Sequence, residues 1–347
     1  MAPVKSVCLK TLIKKGEQPL AENFEVKESD ESFTLEDGQV LVKTLYLSVD
    51  PILRYKMSQG TFLSPWTVGE PCIGVGVGVV LESKFQGIAV HDIVESRNFP
   101  WKTQFTIDGK TLNKFDQEVF RAKPSLALGC CGLTGLTAYF GIREKCHISP
   151  ERKQTVVVSG AAGGVGSIAG QLAKINGASN VVGICGSETK CNFLKEELGF
   201  NGAINYKTDD IYGALRKLCP NGVDCYFDNV GGDISDHIIR QMNKNSCIAV
   251  CGQIADYNKD VPFRQDLSPD IAGSIKEKNI RREFFAVSNY KVEFKAAVAE
   301  LAGWYVEGKL KAKETVFEGI ENTGKAFISV LTGGNIGKQL VQVSAGH

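Results

Sequence analysis

Long apolar runs are absent from this chain of 347 residues. A helix that crosses a bilayer needs about 20 consecutive apolar residues, whereas the longest candidates, such as residues 75–81, are short and interrupted by glycine. Residues 1–10 also lack the uninterrupted apolar core and the small-residue cleavage site of a secretory signal. We therefore predict a cytosolic protein that does not bind a membrane.

A surplus of charge of one sign is absent as well, because 40 Lys and Arg residues face 39 Asp and Glu residues, for a net charge of +1. A near-neutral chain offers no field that would draw it to nucleic acid or to an anionic surface. The function is therefore expected to reside in a specific site for a small molecule, and no nucleic acid is predicted as a partner.

Histidine is scarce, and the four residues present, His91, His147, His237 and His347, form no ligand-like cluster with cysteine. A catalytic zinc takes three protein ligands and a structural zinc four, and the chain has no Cys-x-x-Cys run. We therefore predict no metal, and without a Lewis acid the oxidation of an alcohol is disfavoured. The eleven cysteines are odd in number and follow no framework, which indicates reduced, mostly buried thiols.

The pattern of apolar runs changes along the chain, whose length predicts about two domains. Residues 1–125 contain short alternating runs, such as 40–47 and 74–81, separated by polar turn clusters, and are predicted to be rich in β-strands. From Thr155 onward, short β-branched runs alternate with helical patterns, which is typical of βαβ units. The chain is therefore predicted to be an α/β protein with a doubly wound parallel sheet.

Five strands are predicted in this second part, at residues 155–159, 180–185, 203–206, 223–227 and 247–251. The predicted helices cover residues 167–176, begin after the cap Ser187 and at Thr208, and include a face formed by Ile234, Ile238 and Met242.

A glycine-rich loop lies between the first of these strands and its helix. Residues 159–167 read Ser-Gly-Ala-Ala-Gly-Gly-Val-Gly-Ser. Glycine permits the tight bend and the close approach of another group, and the helix N-terminus behind it supplies unpaired N–H groups. Because the loop follows a strand, opens a helix and heads a series of βα units, it predicts binding of a dinucleotide pyrophosphate.

The residues after the second strand bear on which dinucleotide is bound. An acidic side chain about 20 residues after the loop would bind the ribose 2′-hydroxyl of NAD. Glu188 lies there, but an acidic residue in the first turn of a helix commonly serves the helix dipole. Lys190 opposes that dipole, and a bound 2′-phosphate would offset this cost. We favour NADP(H) over NAD, with a solvated Lys190 as the alternative.

Several longer segments carry a resemblance to a known family. They read Tyr-Leu-Ser-Val-Asp-Pro at 46–51, Val-Ser-Gly-Ala-Ala-Gly at 158–163, Val-Gly-Ile-Cys-Gly at 182–186, Asn-Tyr-Lys at 205–207, Tyr-Phe-Asp-Asn-Val-Gly-Gly at 226–232, Cys-Gly-Gln-Ile at 251–254, Tyr-Asn-Lys-Asp at 257–260 and Gly-Gly-Asn-Ile-Gly-Lys at 333–338. Over essentially its full length the chain resembles the zinc-independent medium-chain dehydrogenases/reductases that saturate the double bond of enones, in particular those acting on 15-oxo-prostaglandins.

The resemblance implies a fold, a cofactor and a set of site residues. The fold would be a Rossmann doubly wound parallel sheet, formed by residues 126–300, with a β-rich GroES-like catalytic domain formed by residues 1–125 and 301–347. The cofactor would be NADP(H), and homodimers occur among the relatives, so a homodimer is an open expectation. The residues implied to bind the cofactor are Gly163, Gly164, Val165 and Gly166 at the pyrophosphate, Lys190 and Tyr206 at the 2′-phosphate, Asn229 at a ribose or phosphate, Phe285, Ala286, Val287 and Asn335 beside the nicotinamide, and Cys251, Gly252 and Tyr257 after the fifth strand.

Tyr257 is the candidate catalytic residue. Reduction of a conjugated double bond needs a hydride donor at the β-carbon and a group that stabilises the enolate charge on the carbonyl oxygen. The resemblance gives that second role to Tyr257. Its position agrees independently, because it follows the end of the fifth strand, where ligands of open α/β sheets bind. The alternative is a buried tyrosine whose hydroxyl is satisfied by backbone.

The chain departs from the family pattern in the part that would bind the substrate. Where the family usually reads Asp-Pro-Tyr-Met-Arg, residues 50–54 read Asp-Pro-Ile-Leu-Arg, so Ile52 replaces an expected aromatic residue of the pocket. Arg97 and Asn98 occupy positions where close relatives carry aromatic residues facing the substrate. Arg97 could pair with the carboxylate of a fatty-acid-like substrate, although an exposed arginine is commonly solvated. These three residues are the predicted substrate contacts.

The resemblance thus implies NADPH-dependent reduction of the conjugated double bond of enones, namely the 13,14-double bond of 15-oxo-prostaglandins or that of related lipid enones. An NADPH-dependent quinone or alkenal reductase is the alternative among enzymes. From another class, a crystallin-like protein would bind NADPH without turnover. Tyr257 and Asn335 argue against this last alternative, because a protein of that class needs no catalytic residues.

Overall fold

The computed structural model describes residues 3–263 and 266–345, so His347 lies outside the described residues. From Thr155 onward strands and helices alternate, whereas the first part of the chain is mostly strands. The strands are β1 Val4–Leu9, β2 Phe24–Ser29, β3 Gln39–Ser48, β4 Ile73–Ser83, β5 Ile93–Pro100, β6 Gln104–Asp108, β7 Asn113–Phe115, β8 Thr155–Ser159, β9 Asn180–Cys185, β10 Gly202–Asn205, β11 Val223–Asp228, β12 Met242–Val250, β13 Arg281–Phe284, β14 Glu314–Glu318 and β15 Lys338–Gln342. The α-helices are α1 Glu118–Ala122, α2 Leu133–Gly141, α3 Gly164–Ile175, α4 Glu188–Asn192, α5 Ile211–Leu218, α6 Gly232–Ile239, α7 Pro269–Glu277, α8 Phe294–Val306 and α9 Thr323–Leu331.

One sheet is parallel and has six strands in the order β10-β9-β8-β11-β12-β13. Helix α3 packs on one face of this sheet through Ile168 and Leu172, and helices α5 and α6 pack on the other through Leu215 and Ile238. All five residues of β8 are buried, as expected for a strand covered on both faces. The predicted doubly wound parallel sheet is confirmed.

Two details of the predicted strands were wrong. The sheet has a sixth strand, β13, which the sequence analysis missed because Arg281–Phe284 is short and mostly charged and lies at the edge of the sheet. Strand β12 begins at Met242, five residues before the predicted start at residue 247. Met242 was placed on a helix, but helix α6 ends at Ile239. Met242 pairs instead with Val223 of β11.

Two predicted helix starts were also wrong. Helix α5 begins at Ile211, and its cap is Asp210, whose carboxylate accepts hydrogen bonds from the N–H groups of Tyr212 and Gly213. Thr208, the predicted start, lies before the helix, and its hydroxyl donates to the Asp209 carboxylate. Helix α3 begins three residues before the predicted start, because its first turn is built from the glycine loop itself. The predicted cap Ser187 is confirmed, since its hydroxyl accepts from the N–H of Lys190.

The other large sheet has strands in the order β14-β15-β3-β4-β5-β7, with β6 paired to β3, and β1 and β2 form a two-stranded sheet. Strands β14 and β15 come from the C-terminal part of the chain and join strands from its first part. The core packed against this second large sheet includes the fully buried Phe99 and Trp101. Helix α8 crosses the predicted domain limit at residue 300, and the domain limits stay a prediction.

The two large sheets meet at the glycine loop. The N–H of Gly337, next to β15, donates to the carbonyl of Ala162 at 2.7 Å. Gly337 also forms a parallel bridge with Gly163. The loop that opens α3 is therefore held by backbone hydrogen bonds to the strand of the other sheet. In the part of the chain that the structure describes, no helix combines the length and the apolar character that crossing a bilayer requires.

Candidate active site

The strand register of the parallel sheet brings the predicted cofactor residues to one edge. Asp228 at the end of β11 pairs with Val250 of β12, and Val250 pairs with Phe284 at the end of β13. The segments that begin at Asn229, Cys251 and Phe285 therefore leave the sheet side by side. The glycine loop leaves from β8, next to β11, where the strand order reverses and where open α/β sheets bind ligands.

The glycine loop has no room for a side chain at Gly166. A Cβ atom on Gly166 would lie 2.4 Å from the carbonyl oxygen of Gly160, which real Cβ atoms essentially never do. Gly163 caps the 12-residue helix α3 without any side-chain hydrogen bond, so the first N–H groups of the helix keep their capacity to donate. Such a helix N-terminus, with its partial positive charge, fits the pyrophosphate of a dinucleotide.

Asn229 stands opposite this loop and is held firmly. Its side-chain N–H₂ donates to the carbonyl of Ser159 at 2.7 Å, and its backbone N–H donates to the Ser159 hydroxyl at 3.0 Å. The buried carboxylate of Asp228 accepts the N–H groups of Val230 and Gly231, at 3.0 and 2.9 Å. The Tyr226 hydroxyl donates to the same carboxylate at 2.8 Å. These bonds fix the loop after β11 before any ligand binds.

Cationic side chains gather at the far end of this edge. Lys190 donates to the carbonyl of Gly333 at 2.7 Å, and burial, with a contribution from Lys207, lowers the pKa of Lys190. The ring of Tyr206 covers Gly186, and the Lys207 ammonium lies 5.9 Å from the centre of that ring. Within residues 3–263 and 266–345, neither lysine forms an ion pair with a carboxylate. This pair of ammonium groups fits a 2′-phosphate, and the sequence analysis had not included Lys207.

Glu188, the candidate for the ribose hydroxyl of NAD, points elsewhere. Its side chain is 71% exposed and lies 4.0 Å from the ammonium group of Lys195. Its place in the first turn of α4 suits the helix dipole, as the sequence analysis favoured. The geometry of this end therefore matches NADP(H) better than NAD.

Tyr257 lies at the end of the short 3₁₀ turn Ile254–Asp256, close to the cofactor edge. The N–H of Ile254 donates to the carbonyl of Asn229, so the turn is tied to the loop after β11. The Tyr257 side chain is only 7% exposed, and its hydroxyl oxygen lies 3.1 Å from the place a Cβ on Gly252 would take. Burial, and then the neighbours Cys251 and Tyr55, raise the pKa of Tyr257, and a hydrogen bond with the backbone of Gln253 offsets part of this rise. The phenol is therefore a neutral donor at neutral pH.

A buried arginine attaches the Tyr257 turn to the part of the molecule that contains the second large sheet. Arg54, 2% exposed, donates from Nε to Asn258 Oδ1 at 2.9 Å. It also donates to the Ser58 hydroxyl at 2.9 Å and to the carbonyl of Glu17 at 2.7 Å. Burial lowers the pKa of Arg54. This role of Arg54 was not predicted from the sequence, although Arg54 ends the segment in which Ile52 departs from the family.

The residues predicted beside the nicotinamide come from two sheets. Asn335 precedes β15 of the second large sheet, and residues 285–287 follow β13 of the parallel sheet. Asn335 is buried, and its side-chain N–H₂ donates to the carbonyl of Gly337 at 2.7 Å, which places it against the glycine loop. The Phe285 ring lies 6.2 Å from that of Phe227 in an edge-on arrangement. Ala286 is exposed, and Val287 begins the 3₁₀ segment Val287–Glu293.

The three predicted substrate residues are not brought together by contacts. Ile52 is half-buried in the 3₁₀ segment Pro51–Met57 and packs against the core of the second large sheet. Arg97 lies on β5 with its guanidinium carbon 5.0 Å above the ring of Phe294 on α8. Asn98 is exposed and donates its N–H to Ser96. Within the described residues, neither Arg97 nor Asn98 forms a hydrogen bond or ring contact with Tyr257.

Comparison with known proteins agrees with this geometry. A family model described as "Zinc-binding dehydrogenase" matches residues 164–302, and one described as "N-terminal domain of oxidoreductase" matches residues 11–115. Prostaglandin reductase 1 of Mus musculus is 40% identical over 327 residues, 93% of this chain and 95% of that protein. The chain belongs to the medium-chain dehydrogenase/reductase family.

Two further members of the medium-chain dehydrogenase/reductase family bear on the cofactor. The "Putative NADP-dependent oxidoreductase YfmJ" of Bacillus subtilis is 44% identical over 311 residues, 88% of this chain and 89% of that protein. The crystal structure of CurA from Vibrio vulnificus in complex with NADPH superposes with a TM-score of 0.89 at 33% identity, covering 98% of this chain and 99% of CurA. Both agree with the predicted cofactor NADP(H).

The zinc in the name of the matched family model raises the question of ligands. In the described residues, one group of three metal-ligating side chains lies close enough to share an ion, and it consists of Cys146, Cys225 and Cys247. Cys225 and Cys247 lie inside strands β11 and β12, before the ends of the strands where the cofactor edge begins. Among the residues that the structure describes, those around Tyr257 therefore form no group of three metal ligands.

An aromatic shelf beside Tyr257, made of Tyr55, Phe62 and Phe263, was not predicted. The Tyr55 ring lies 4.9 Å from that of Tyr257 and 4.9 Å from that of Phe62. Phe62 and Phe263 stack at 4.1 Å and are 49% and 37% exposed. Tyr55 follows Ile52 by three residues in a 3₁₀ segment, where such positions lie on one side. Tyr55 therefore places an aromatic ring one turn after position 52, where the aromatic residue expected from the family is missing.

Proposed function

We propose that the protein is an NADPH-dependent reductase of the conjugated carbon–carbon double bond of enones. The observation that carries this proposal is the neutral, buried hydroxyl of Tyr257, which lies at the cofactor edge of the parallel sheet and beside an apolar aromatic shelf. A single phenol donor suits a carbonyl oxygen on which negative charge develops. An alcohol dehydrogenase would instead need a Lewis acid or a strong base at this place.

The residues that would hold the cofactor follow the edge of the sheet. The N-terminus of α3, with Gly163, Gly164, Val165 and Gly166, would bind the pyrophosphate, and Lys190, Tyr206 and Lys207 would bind the 2′-phosphate. Asn229, Cys251 and Gly252 would line the ribose, and Phe285, Ala286, Val287 and Asn335 would border the nicotinamide. When bound, NADPH supplies a hydride. The chain itself supplies orientation, exclusion of water and a hydrogen bond.

Tyr257 would donate its hydrogen bond to the carbonyl oxygen of the enone. Because burial raises the pKa of Tyr257, the phenol keeps its proton at neutral pH and stabilises the enolate without ionising. Solvent would protonate the α-carbon. Arg54, through Asn258, would position the turn that carries Tyr257, and it contacts neither cofactor nor substrate in this scheme.

The proposed substrates are 15-oxo-prostaglandins, reduced at the 13,14-double bond, or related lipid enones. The 40% identity to prostaglandin reductase 1 of Mus musculus supports this choice, and so does the exposed apolar surface of Phe62 and Phe263. A quinone or alkenal reductase is the alternative, because Ile52 and Arg97 depart from the family pattern. A cytoplasmic location and a homodimer remain predictions.

The test is the oxidation of NADPH and, separately, of NADH with 15-oxo-prostaglandin E2, a short alkenal and a quinone as parallel acceptors. Turnover of the prostaglandin with NADPH, and a product saturated at the enone, would support the proposal. Turnover with only the alkenal or the quinone would keep the chemistry and replace the substrate. Binding of NADPH without turnover of any acceptor would favour a non-enzymatic protein.

A further inference from the structure

A β-bulge interrupts strand β5 at Arg97 and Asn98. In the register of β4 and β5, these two residues together oppose the single residue Val75. The N–H of Asn98 donates to the hydroxyl of the buried Ser96 at 3.1 Å, which fixes the bulge. Bulges of this kind bend a strand and redirect a side chain, and they are over-represented next to active sites. The bulge therefore gives Arg97 a direction that a regular strand would not give it.

The Arg97 guanidinium is held over a ring but has no hydrogen-bonding partner. The side chain is half-buried, and its guanidinium carbon lies 5.0 Å above the ring of Phe294. Within residues 3–263 and 266–345, the group forms no hydrogen bond and no ion pair. An arginine presents five N–H donors in a planar fork that matches the two oxygens of a carboxylate. Arg97 keeps this whole fork for a ligand.

Arg143 shows what a partnered arginine looks like in this protein. It also lies over a ring, with its guanidinium carbon 5.5 Å from the centre of Tyr139. In addition it donates to the Tyr139 hydroxyl and lies 3.8 Å from a carboxylate oxygen of Glu300. The contact with a ring therefore does not prevent an arginine from pairing with an anion.

One acidic residue of the same strand, Glu95, interacts electrostatically with Arg97 but does not pair with it. Its buried carboxyl accepts the side-chain N–H₂ of Asn113 at 2.8 Å. Burial raises the pKa of Glu95, and Asn113 and Arg97 offset part of this rise. Glu95 therefore leaves the fork of Arg97 open.

The ring beneath Arg97 belongs to an aromatic group next to the proposed nicotinamide residues. Phe294 begins α8, and its ring lies 6.0 Å from that of Phe140. A Cβ on the next residue, Gly141, would lie 2.7 Å from the ring of Phe285, which is proposed to border the nicotinamide. Arg97, which comes from the second large sheet, therefore approaches the nicotinamide end of the cofactor edge.

We propose that Arg97 binds the carboxylate of the substrate, and that the substrates are enone acids in which several carbons separate the carboxylate from the enone. The inference rests on the proposed function, because it needs the enone at Tyr257. Arg97 and Tyr257 share no hydrogen bond or ring contact in the described residues, as expected if they bind opposite ends of an extended molecule. 15-Oxo-prostaglandins belong to this class, whereas short alkenals and quinones do not.

The first test uses the unaltered protein and compares 15-oxo-prostaglandin E2 with its methyl ester, which keeps the enone and loses the negative charge. With NADPH, we expect kcat/KM to be about tenfold or more higher for the acid, mainly through a lower KM. Added salt should reduce this preference, because it screens the acid and not the ester. Equal kcat/KM values for acid and ester would overturn the proposal.

Variants assign the preference to Arg97. Arg97→Gln should lower kcat/KM for the acid about tenfold or more and leave that for the ester within a few-fold. Arg97→Lys, which keeps the charge without the fork, should retain part of the preference. The matched control Arg143→Gln also removes an arginine from a ring and should keep the full preference. Equal losses for acid and ester in Arg97→Gln would mean that Arg97 only supports the fold, which contradicts the proposal.

The failure of this proposal can be distinguished from the failure of the proposed function. If the ester is reduced at its double bond as efficiently as the acid, the enone reductase stands and only the carboxylate contact is wrong. If the acid, the ester and a short alkenal all leave NADPH unoxidised, the proposed function fails and the contact at Arg97 fails with it.

Discussion

Replacing Tyr257 by phenylalanine isolates one hydroxyl group. The phenylalanine ring keeps the edge-on contact with Tyr55, whose centre is 4.9 Å away, so the turn Ile254–Asp256 should keep its place. What is lost is the proposed hydrogen bond to the carbonyl oxygen of the substrate. Removal of one such donor costs about 2.7–4 kcal/mol in the transition state, which corresponds to a decrease in kcat of about 100- to 1000-fold.

The binding of NADPH should change little in this variant. The groups proposed to bind the pyrophosphate and the 2′-phosphate lie on α3 and around Lys190, on elements that Tyr257 does not build. The assay is steady-state turnover of 15-oxo-prostaglandin E2 or of the best acceptor, together with titration of the bound nucleotide by fluorescence. Tyr55→Phe is the matched control, since it removes a neighbouring phenol hydroxyl and should leave kcat within a few-fold of the unaltered enzyme.

Two results would refute this reasoning. If Tyr257→Phe turns over at the normal rate, Tyr257 is not the group that stabilises the enolate. If the two substitutions reduce kcat equally, the Tyr257 hydroxyl has no role that the neighbouring Tyr55 hydroxyl does not share.

Three further predictions concern the cofactor, the loop and the dependence on pH. Lys190→Ala should weaken NADPH binding about tenfold or more and leave NADH binding nearly unchanged, because only NADPH carries the 2′-phosphate. Equal losses of affinity for both nucleotides would place Lys190 outside the phosphate site. Gly166→Ala should abolish nucleotide binding, because its Cβ would lie 2.4 Å from the Gly160 carbonyl oxygen. The control Gly303→Ala, on α8 with open space around it, should bind the nucleotide normally. Nucleotide binding by the Gly166 variant would show that the loop can rearrange. Burial raises the pKa of Tyr257 and raises that of Tyr55 to about 12, so activity should not fall through ionisation of these phenols below pH 10, the ordinary range of tyrosine. The same shifts make their contribution to the free energy of unfolding complete below pH 10 and smaller above it, because only the unfolded tyrosines then ionise; a thermal unfolding midpoint that rises above pH 10 would contradict this sign.

The parallel sheet and its glycine loop could be predicted because local patterns determine them. A β-branched run such as β8 is buried on both faces whatever its partners are, and a loop of small residues before an apolar helix has few other uses. The register then follows from the parallel ladder, and it brings Asn229 and Cys251 to the same edge. For this reason most of the predicted cofactor residues lie together.

The remaining features depend on contacts between distant parts of the chain, which a single sequence does not reveal. Arg54 and Asn258 are 204 residues apart, and neither has a local pattern that would indicate the other. Phe62 and Phe263 look like isolated surface residues until they stack. Strand β13 is too charged to be recognised by apolar periodicity, and its place is decided by backbone pairing with β12.

The hydrogen bond from the Gly337 N–H to the Ala162 carbonyl limits how the molecule can open. It joins two peptide groups, so neither partner can swing away on a flexible side chain, and parting the sheets there would leave both groups unpaired. A separation of the two halves would break this bond unless it pivots about this line. The widening would be greatest far from the pivot, and the glycine loop would stay nearly still. A bound nucleotide could then stay in place while a substrate enters and a product leaves.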